Sequence, residues 1–321
     1  MRVLFVSYPT AFQMKGGGEV QFLETLESLY SLGVEVEMFN QYKIYSRREV
    51  DLLHIFSVFK SVELFVDWAG TIGLPYVVSP IHWPDDTDDV ERNRIRYILL
   101  RAARILPNSF AEMDILSSRL SIPNRDRFCR VVNGVNHGLF MNVKRNPDTI
   151  DKKTVLVVAN VDRRKNLARL AVACGQLGMR LEILGGVRDR AYFEELLRSA
   201  NCEIDYLGPF ENASEVHLEA LSRATVFALP SLYETPGIAA IEAGSAGVPV
   251  VVTSVGAARE YFGDGAWYCD PDSITSIASA ISMARKTSVM NDSIREIYWS
   301  YNWRRAASET LLAYEAALKH E

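Results

Sequence analysis

The stretch from Ala224 to Val252 leaves few folds open to this chain. Ala224 to Leu229 form an apolar run ended by Pro230, with the length and composition of a buried strand. After the turn at Pro236-Gly237, Ile238 to Ala246 read as a helix, which Gly247 and Pro249 stop before a second apolar strand, Val250 to Val252. Strands joined through a helical crossover pair in parallel. Parallel strands are covered on both faces, so this stretch alone points to an α/β protein.

The same alternation runs through the rest of the sequence in two blocks. In the first, Val3–Ser7 reads as a strand, Glu19–Leu32 as a helix closed by Gly33, and Val34–Phe39 as the next strand. The runs at 51–56, 75–79 and 105–108 read as further strands. In the second block Thr154–Ala159 reads as a strand, followed by a helix to about Leu177 and the strand Arg180–Leu184. Between the blocks lies a polar stretch, Lys144–Lys153, with the composition of a linker. A chain of 321 residues suits two domains of about 150. The expectation is two Rossmann-like domains facing across a cleft, residues 1–146 and 147–301, with ligands at the carboxyl ends of their strands.

Composition narrows the functions. A net charge of −5 argues against a general nucleic-acid binder. Cys129, Cys174, Cys202 and Cys269 form no CxxC pair and lie far apart, which suggests neither a zinc site nor a disulfide framework. Arg2 to Val6 reads as a short strand and not as a signal peptide. No apolar run approaches the roughly 20 residues of a membrane-spanning helix. A cytoplasmic protein is the simplest reading. The acidic cluster Asp85 to Asp89 is better explained as a helix start than as a cation site, so neither metal nor cofactor is expected.

The chemistry concentrates after the strand ending at Leu229. Glu234 lies on the loop leaving that strand, and Glu242 lies eight positions on, inside the helix. The N–H groups of Gly237 to Ala239 are the orphan donors of a helix start, a natural phosphate site. Gly237, Ala239, Ala240 and Ala243 leave room for a ligand to approach the backbone closely. One carboxylate at the phosphate end and another further along suit a sugar at one end and a ribose at the other.

These residues resemble the Glu-x7-Glu signature of the retaining glycosyltransferases of the GT-B fold, in particular the large family 4 (glycosyl transferases group 1). Pro230-Ser231 precede the signature, Gly237 marks its turn, and Gly-Val-Pro-Val-Val-Val at 247–252 follows. The resemblance implies a nucleotide diphosphate sugar as donor, with Glu234 on the transferred sugar and Glu242 on the ribose hydroxyls. It implies Lys165 as the main diphosphate ligand, with Arg164 beside it and the N–H groups of Gly237 and Ile238 opposite. The family's arginine directly after the strand is Asn160 here, a position expected to accept an arginine. Gly16-Gly17-Gly18 resembles the family's glycine loop under the donor phosphates and acceptor, and His82 in Pro80-Ile-His-Trp resembles the histidine near the transferred sugar. Trp303 and the helix to Leu318 are similar to the C-terminal segment that crosses back onto the first domain, so residues 302–321 are expected to join it.

Arg92, Arg94, Arg96, Arg101 and Arg104 interleave with Ile95, Ile98, Leu99 and Ala102 to give a basic amphipathic helix. Such a helix can lie on an anionic membrane, although acid before base also matches the helix dipole. The sequence thus reads as a retaining transferase moving a hexose from a UDP- or GDP-type donor to a hydroxyl of a glycan, a lipid-linked saccharide or a small molecule. It would be cytoplasmic or, on the membrane reading, peripheral on the inner face. Two other readings fit the same residues: a non-catalytic GT-B partner subunit, and a GT-B phosphorylase or epimerase.

Overall fold

The apolar runs of the sequence become strands because burying them on both faces is the only way to remove them from water. The computed structural model describes residues 1–13, 16–83, 88–146, 150–151, 153–287 and 290–319. The chain divides into two units, Met1–Gly134 with Trp303–Glu321, and Val135–Asn302.

The first unit runs β1 (Arg2–Val6), α1 (Gly17–Ser31), β2 (Glu35–Met38), β3 (Leu52–Phe56), α2 (Glu63–Thr71), β4 (Tyr76–Ser79), α3 (Asp89–Arg101), β5 (Arg104–Ile105) and α4 (Phe110–Arg119). Among the described residues its strands form one sheet in the order β2-β1-β3-β4-β5, every pairing parallel. Central β3 is buried throughout, while β2, with Glu35 and Glu37, is the mostly exposed edge, where charge discourages pairing with another chain. The strand expected at 105–108 shrinks to Arg104–Ile105 because Pro107 has no N–H to give to a ladder.

Helix α1 starts two residues earlier than the sequence suggests. Glu19 reaches back to accept the Gly16 N–H at 2.7 Å, so the glycines wind into the first turn. In α3 the arginines are engaged within the protein. Arg92 pairs with Asp89 at 2.6 Å and Arg94 with Glu91 at 3.2 Å. Arg96 donates to the Leu120 carbonyl, and Arg101 lies over the Tyr97 ring. Asp88 caps the helix by accepting the Glu91 N–H at 2.8 Å, as the dipole reading expects; Asp85 and Asp86 lie outside the described residues.

The second unit runs α5 (His137–Phe140), β6 (Thr154–Val158), α6 (Leu167–Gln176), β7 (Arg180–Leu184), α7 (Arg190–Ser199), β8 (Ile204–Gly208), α8 (Glu215–Arg223), β9 (Val226–Leu229), α9 (Ile238–Ser245), β10 (Val250–Thr253), α10 (Ala258–Phe262), β11 (Trp267–Cys269), α11 (Ile274–Ala284) and α12 (Asp292–Trp299). Its parallel sheet has the order β11-β10-β9-β6-β7-β8. From β6 the chain moves outward through β7 and β8, then returns to β9 and moves the other way. The switch point therefore lies between β6 and β9, where open α/β sheets bind ligands at the carboxyl ends of their strands.

The sequence places the domain boundary at 146/147, whereas the division falls at 134/135. Residues 135–146 are held by the second unit. Val135 donates to the Tyr301 carbonyl at 3.1 Å, and Arg145 donates to the carbonyls of Leu221 and Ala224 at 2.6 and 2.8 Å.

The last helix, α13 (Trp303–Leu318), belongs to the first unit. His54, buried on β3, lies with Nδ1 2.6 Å from the Tyr314 hydroxyl and Nε2 2.9 Å from the Ser79 hydroxyl on β4. Its ring stacks on Phe56 at 4.0 Å. Burial pushes the His54 pKa down to about 3, so the ring is neutral and both nitrogens are satisfied by hydroxyls. Glu309 accepts the Val132 N–H at 2.8 Å, and Arg104 donates to the Ala316 carbonyl at 2.9 Å, fastening α13 at two further points.

Candidate functional site

At the switch point of the second unit, the loop leaving β6 carries two cations in a fixed frame. Residues 163–165 form one 3-10 turn, capped by the Asp162 carboxylate accepting the Lys165 N–H at 3.1 Å. Asn166 follows with φ 59°, a left-handed conformation that asparagine tolerates better than most residues. Its amide donates to the carbonyls of Pro230 at 2.9 Å and Pro271 at 2.8 Å, tying this loop to the chain leaving β9 and to the chain leaving β11. Leu232 in turn donates to the Arg164 carbonyl at 2.9 Å.

Glu234, on the loop after β9, is 5% exposed. Its backbone is clamped to the neighbouring loop by an N–H donated to the Val255 carbonyl at 3.3 Å and a carbonyl accepting from Ala257 at 2.9 Å. Gly256, with φ 99°, makes that approach feasible, since a Cβ there would sit 2.2 Å from the Glu234 carbonyl oxygen. Among the described residues, three donors converge on Oε1 of Glu234: Lys165 Nζ, Arg164 Nη1 at 3.3 Å and the Ser231 hydroxyl at 2.6 Å.

The electrostatics of this cluster are uneven. Burial pushes the Glu234 carboxyl up, but Lys165, Arg164 and the hydrogen bonds outweigh it and bring the pKa down to about 2. Lys165 is also lowered. Burial comes first and the neighbouring Arg164 adds to it, and together they exceed the attraction of Glu234 and Asp162. The carboxylate is fully compensated; the ammonium is not.

Gly237 heads α9 with φ 85°, a left-handed position that suits glycine. The N–H groups of Ala240 and Ile241 donate back to its carbonyl, so those of Ile238 and Ala239 precede the first helical bond, and both residues are half-buried. Glu242 is buried one turn on, with Oε2 3.9 Å from Nε2 of His217 on α8. Asn160 turns its Oδ1 to the Gly186 N–H at 3.1 Å, bracing the loops after β6 and β7. That corrects the expectation that this position would readily take an arginine, because the side chain already serves as an acceptor.

In the first unit the sequence-selected residues also gather at the carboxyl ends of strands. Gly16 and Gly17 open α1 after β1, pinned by Glu19, whose other oxygen accepts from the Tyr8 hydroxyl at 2.7 Å. His82 follows β4, and its N–H donates to Glu112 at 2.9 Å. The second Glu112 oxygen accepts the Asn108 N–H at 2.6 Å, so one buried carboxylate holds the starts of two loops. The two segments meet, since a Cβ on Gly18 would lie 3.8 Å from Ile81.

The structure thus brings Arg164, Lys165, Glu234 and Gly237 together in the second unit, with Ile238 and Glu242 following on α9, and in the first unit it brings the Gly18 and Ile81 segments, which carry Gly16, Gly17 and His82, into contact. Sequence reasoning missed Asp162, Ser231 and His217 as participants, and Glu19 and Glu112 as braces. Two of these had a local signal: Ser109-x-x-Glu112 has the sequence spacing of a capping box, with Ser109 accepting the Glu112 N–H, and Glu19 lies three residues after Gly16.

Two parallel-sheet, Rossmann-like α/β units with ligand-type loops at their strand ends define the GT-B fold class. Over 100% of this chain and 99% of the other, the fold matches sucrose-phosphate synthase from Thermosynechococcus elongatus with a TM-score of 0.82 at 17% identity. It also matches Anabaena HepE, solved in complex with UDP and glucose, with a TM-score of 0.79 at 17% identity over 97% of this chain and 98% of that one. Among curated proteins, an uncharacterized glycosyltransferase of Methanocaldococcus jannaschii (MJ1607) is 30% identical over 182 residues, 53% of this chain. The match spans about half of that relative's length, 46%. Residues 142–297, which lie within the second unit, match the family model for glycosyl transferases group 1.

Proposed function

We propose that the protein is a retaining glycosyltransferase that moves a hexose from a nucleotide diphosphate sugar to an acceptor hydroxyl. One observation carries the reading: a half-buried, undercompensated lysine stands beside an arginine at the switch point, on the buried carboxylate that begins the Glu-x7-Glu spacing. A diphosphate is the anion that would relieve it, and an ammonium has three N–H donors, so Lys165 can keep Glu234 while turning to phosphate oxygens. The N–H groups of Gly237 and Ile238 would serve the same anion. All three protein donors take Oε1 of Glu234, which leaves Oε2 for the sugar hydroxyls, and Glu242 would take the ribose.

In the step itself the bond from the anomeric carbon to the phosphate oxygen breaks, and its electron pair leaves with the nucleotide diphosphate. The acceptor oxygen bonds to the same face of that carbon, and its proton passes to a departing phosphate oxygen. Lys165 and Arg164 stabilise the charge that develops there. Roles for Gly16 and Gly17 under the phosphates and for His82 beside the sugar rest on the family resemblance alone. The UDP bound to HepE supports a nucleotide sugar donor.

All four cysteines are free, in keeping with a reducing cytoplasm. Among the described residues no helix is long and apolar enough to cross a membrane. With its arginines engaged as above, α3 offers little free charge to lipid headgroups, and a glycan or small-molecule acceptor needs no such contact.

A thermal-shift screen over UDP-, GDP- and dTDP-sugars tests the reading, because a specific ligand raises the melting temperature by mass action. One donor should shift the melt, and the same donor should be slowly hydrolysed by the protein alone. No shift with any donor would sink the proposal, and a shift without hydrolysis or transfer would favour the partner-subunit reading.

A further inference from the structure

His217 lies in the first turn of α8, fully buried between the rings of Phe210 at 4.7 Å and Phe140 at 5.6 Å. Its Nδ1 accepts the Ala213 N–H at 3.3 Å, which puts the ring proton on Nε2. Among the described residues that second nitrogen has no hydrogen-bond partner, although solvent does not reach it. Across from it, at 3.9 Å, lies Oε2 of Glu242. Native structures rarely leave a buried donor unmatched without a reason in function or strain. The Ala213 contact accounts for one nitrogen of the ring; the carboxylate opposite accounts for the other. Burial holds the His217 pKa down at about 4, so near neutral pH the ring is an uncharged donor and not half of an ion pair.

We infer that His217 is a positioning residue for Glu242: its Nε2–H closes on Oε2 when a ribose engages the carboxylate, and so fixes the plane in which the carboxylate meets the two ribose hydroxyls. The inference rests on the ribose role proposed above for Glu242. A carboxylate has lone pairs for both partners, about four in all.

Two substitutions separate this role from a purely structural one. His217→Asn keeps an acceptor for the Ala213 N–H but is too short to reach Glu242. His217→Gln places a donor near the position of Nε2 and gives up the Ala213 contact. Calorimetry would compare UDP with 2′-deoxy-UDP, or the guanine pair where the screen selects GDP. His217→Asn should weaken the ribonucleotide about tenfold, the scale of one good hydrogen bond, with little change for the deoxynucleotide. His217→Gln should keep the ribo-to-deoxy ratio. The opposite pattern, or a ratio unchanged in both variants, would overturn the inference. Glu242→Gln supplies the control. If it also keeps the ratio, the ribose reading falls and this inference with it; if it loses the ratio while His217→Asn keeps it, only the inference falls.

Discussion

Glu234→Gln and Lys165→Met should affect stability differently, although the two side chains touch. A carboxyl whose pKa falls from 4.5 to about 2 on folding contributes about 3 kcal/mol at neutral pH. The folded-state value is the depressed one, so this stability is complete above pH 4.5 and is lost as the pH falls towards about 2. Glu234→Gln removes it and leaves Lys165 and Arg164 facing an amide. For a unit of this size the loss should lower the melting temperature by about 6–12 °C at pH 7, and the gap from wild type should narrow near pH 3. Lys165 differs. Its own charge is disfavoured on folding, by burial first and then by Arg164, yet it is the foremost cation holding Glu234 ionised, so Lys165→Met should destabilise the unliganded protein, but by less than Glu234→Gln. The same variant gives up a charge-assisted contact with the donor diphosphate, about 1.5–3 kcal/mol, and so should weaken the bare nucleotide at least tenfold. Calorimetric melts with separate transitions for the two units, with titrations alongside, measure both quantities. A Lys165→Met protein that melts as early as Glu234→Gln would refute the charge argument. One that binds the nucleotide normally would refute the diphosphate role.

Tyr314→Phe should strip the buried His54 of one partner and cost about 1–3 kcal/mol, seen as an earlier melt of the first unit with the second unchanged. Asn160→Arg should cost about 1 kcal/mol through the lost bond to Gly186 without tightening the donor, as denaturant melts and calorimetry would report. Transfer should survive a chelator; activity abolished by it and restored by magnesium or manganese would contradict a metal-independent mechanism.

For apolar runs bounded by clear stops, the reading and the structure agree closely. Arg180–Leu184 is a strand with those same ends, and Ile238 begins α9, because an apolar run between a turn and a stop needs no distant partner to be recognised. Strand order is another matter. Nothing local in Thr154–Val158 says that β9 will lie on one side of it and β7 on the other, yet that pairing creates the switch point where Lys165 meets Glu234. Nothing local separates Arg164 from a solvated arginine, because its contact with Glu234 spans 70 positions. His217 reads as one more residue on a short helix until Glu242 is seen opposite it. The boundary at 134/135 was masked because the polar composition of 144–153 marks flexibility, not where contacts change sides.

The engagement of Tyr314 with His54 also bears on how the protein comes off the ribosome. These partners are 260 positions apart, about 13–50 s of synthesis at roughly 5–20 residues per second. The second unit is contiguous and is wholly made before α13 exists, whereas the first waits, its sheet made but its histidine without a phenol to bond. For that interval the earlier half of the polypeptide is the less finished of the two, and it is the half that a chaperone would need to shelter.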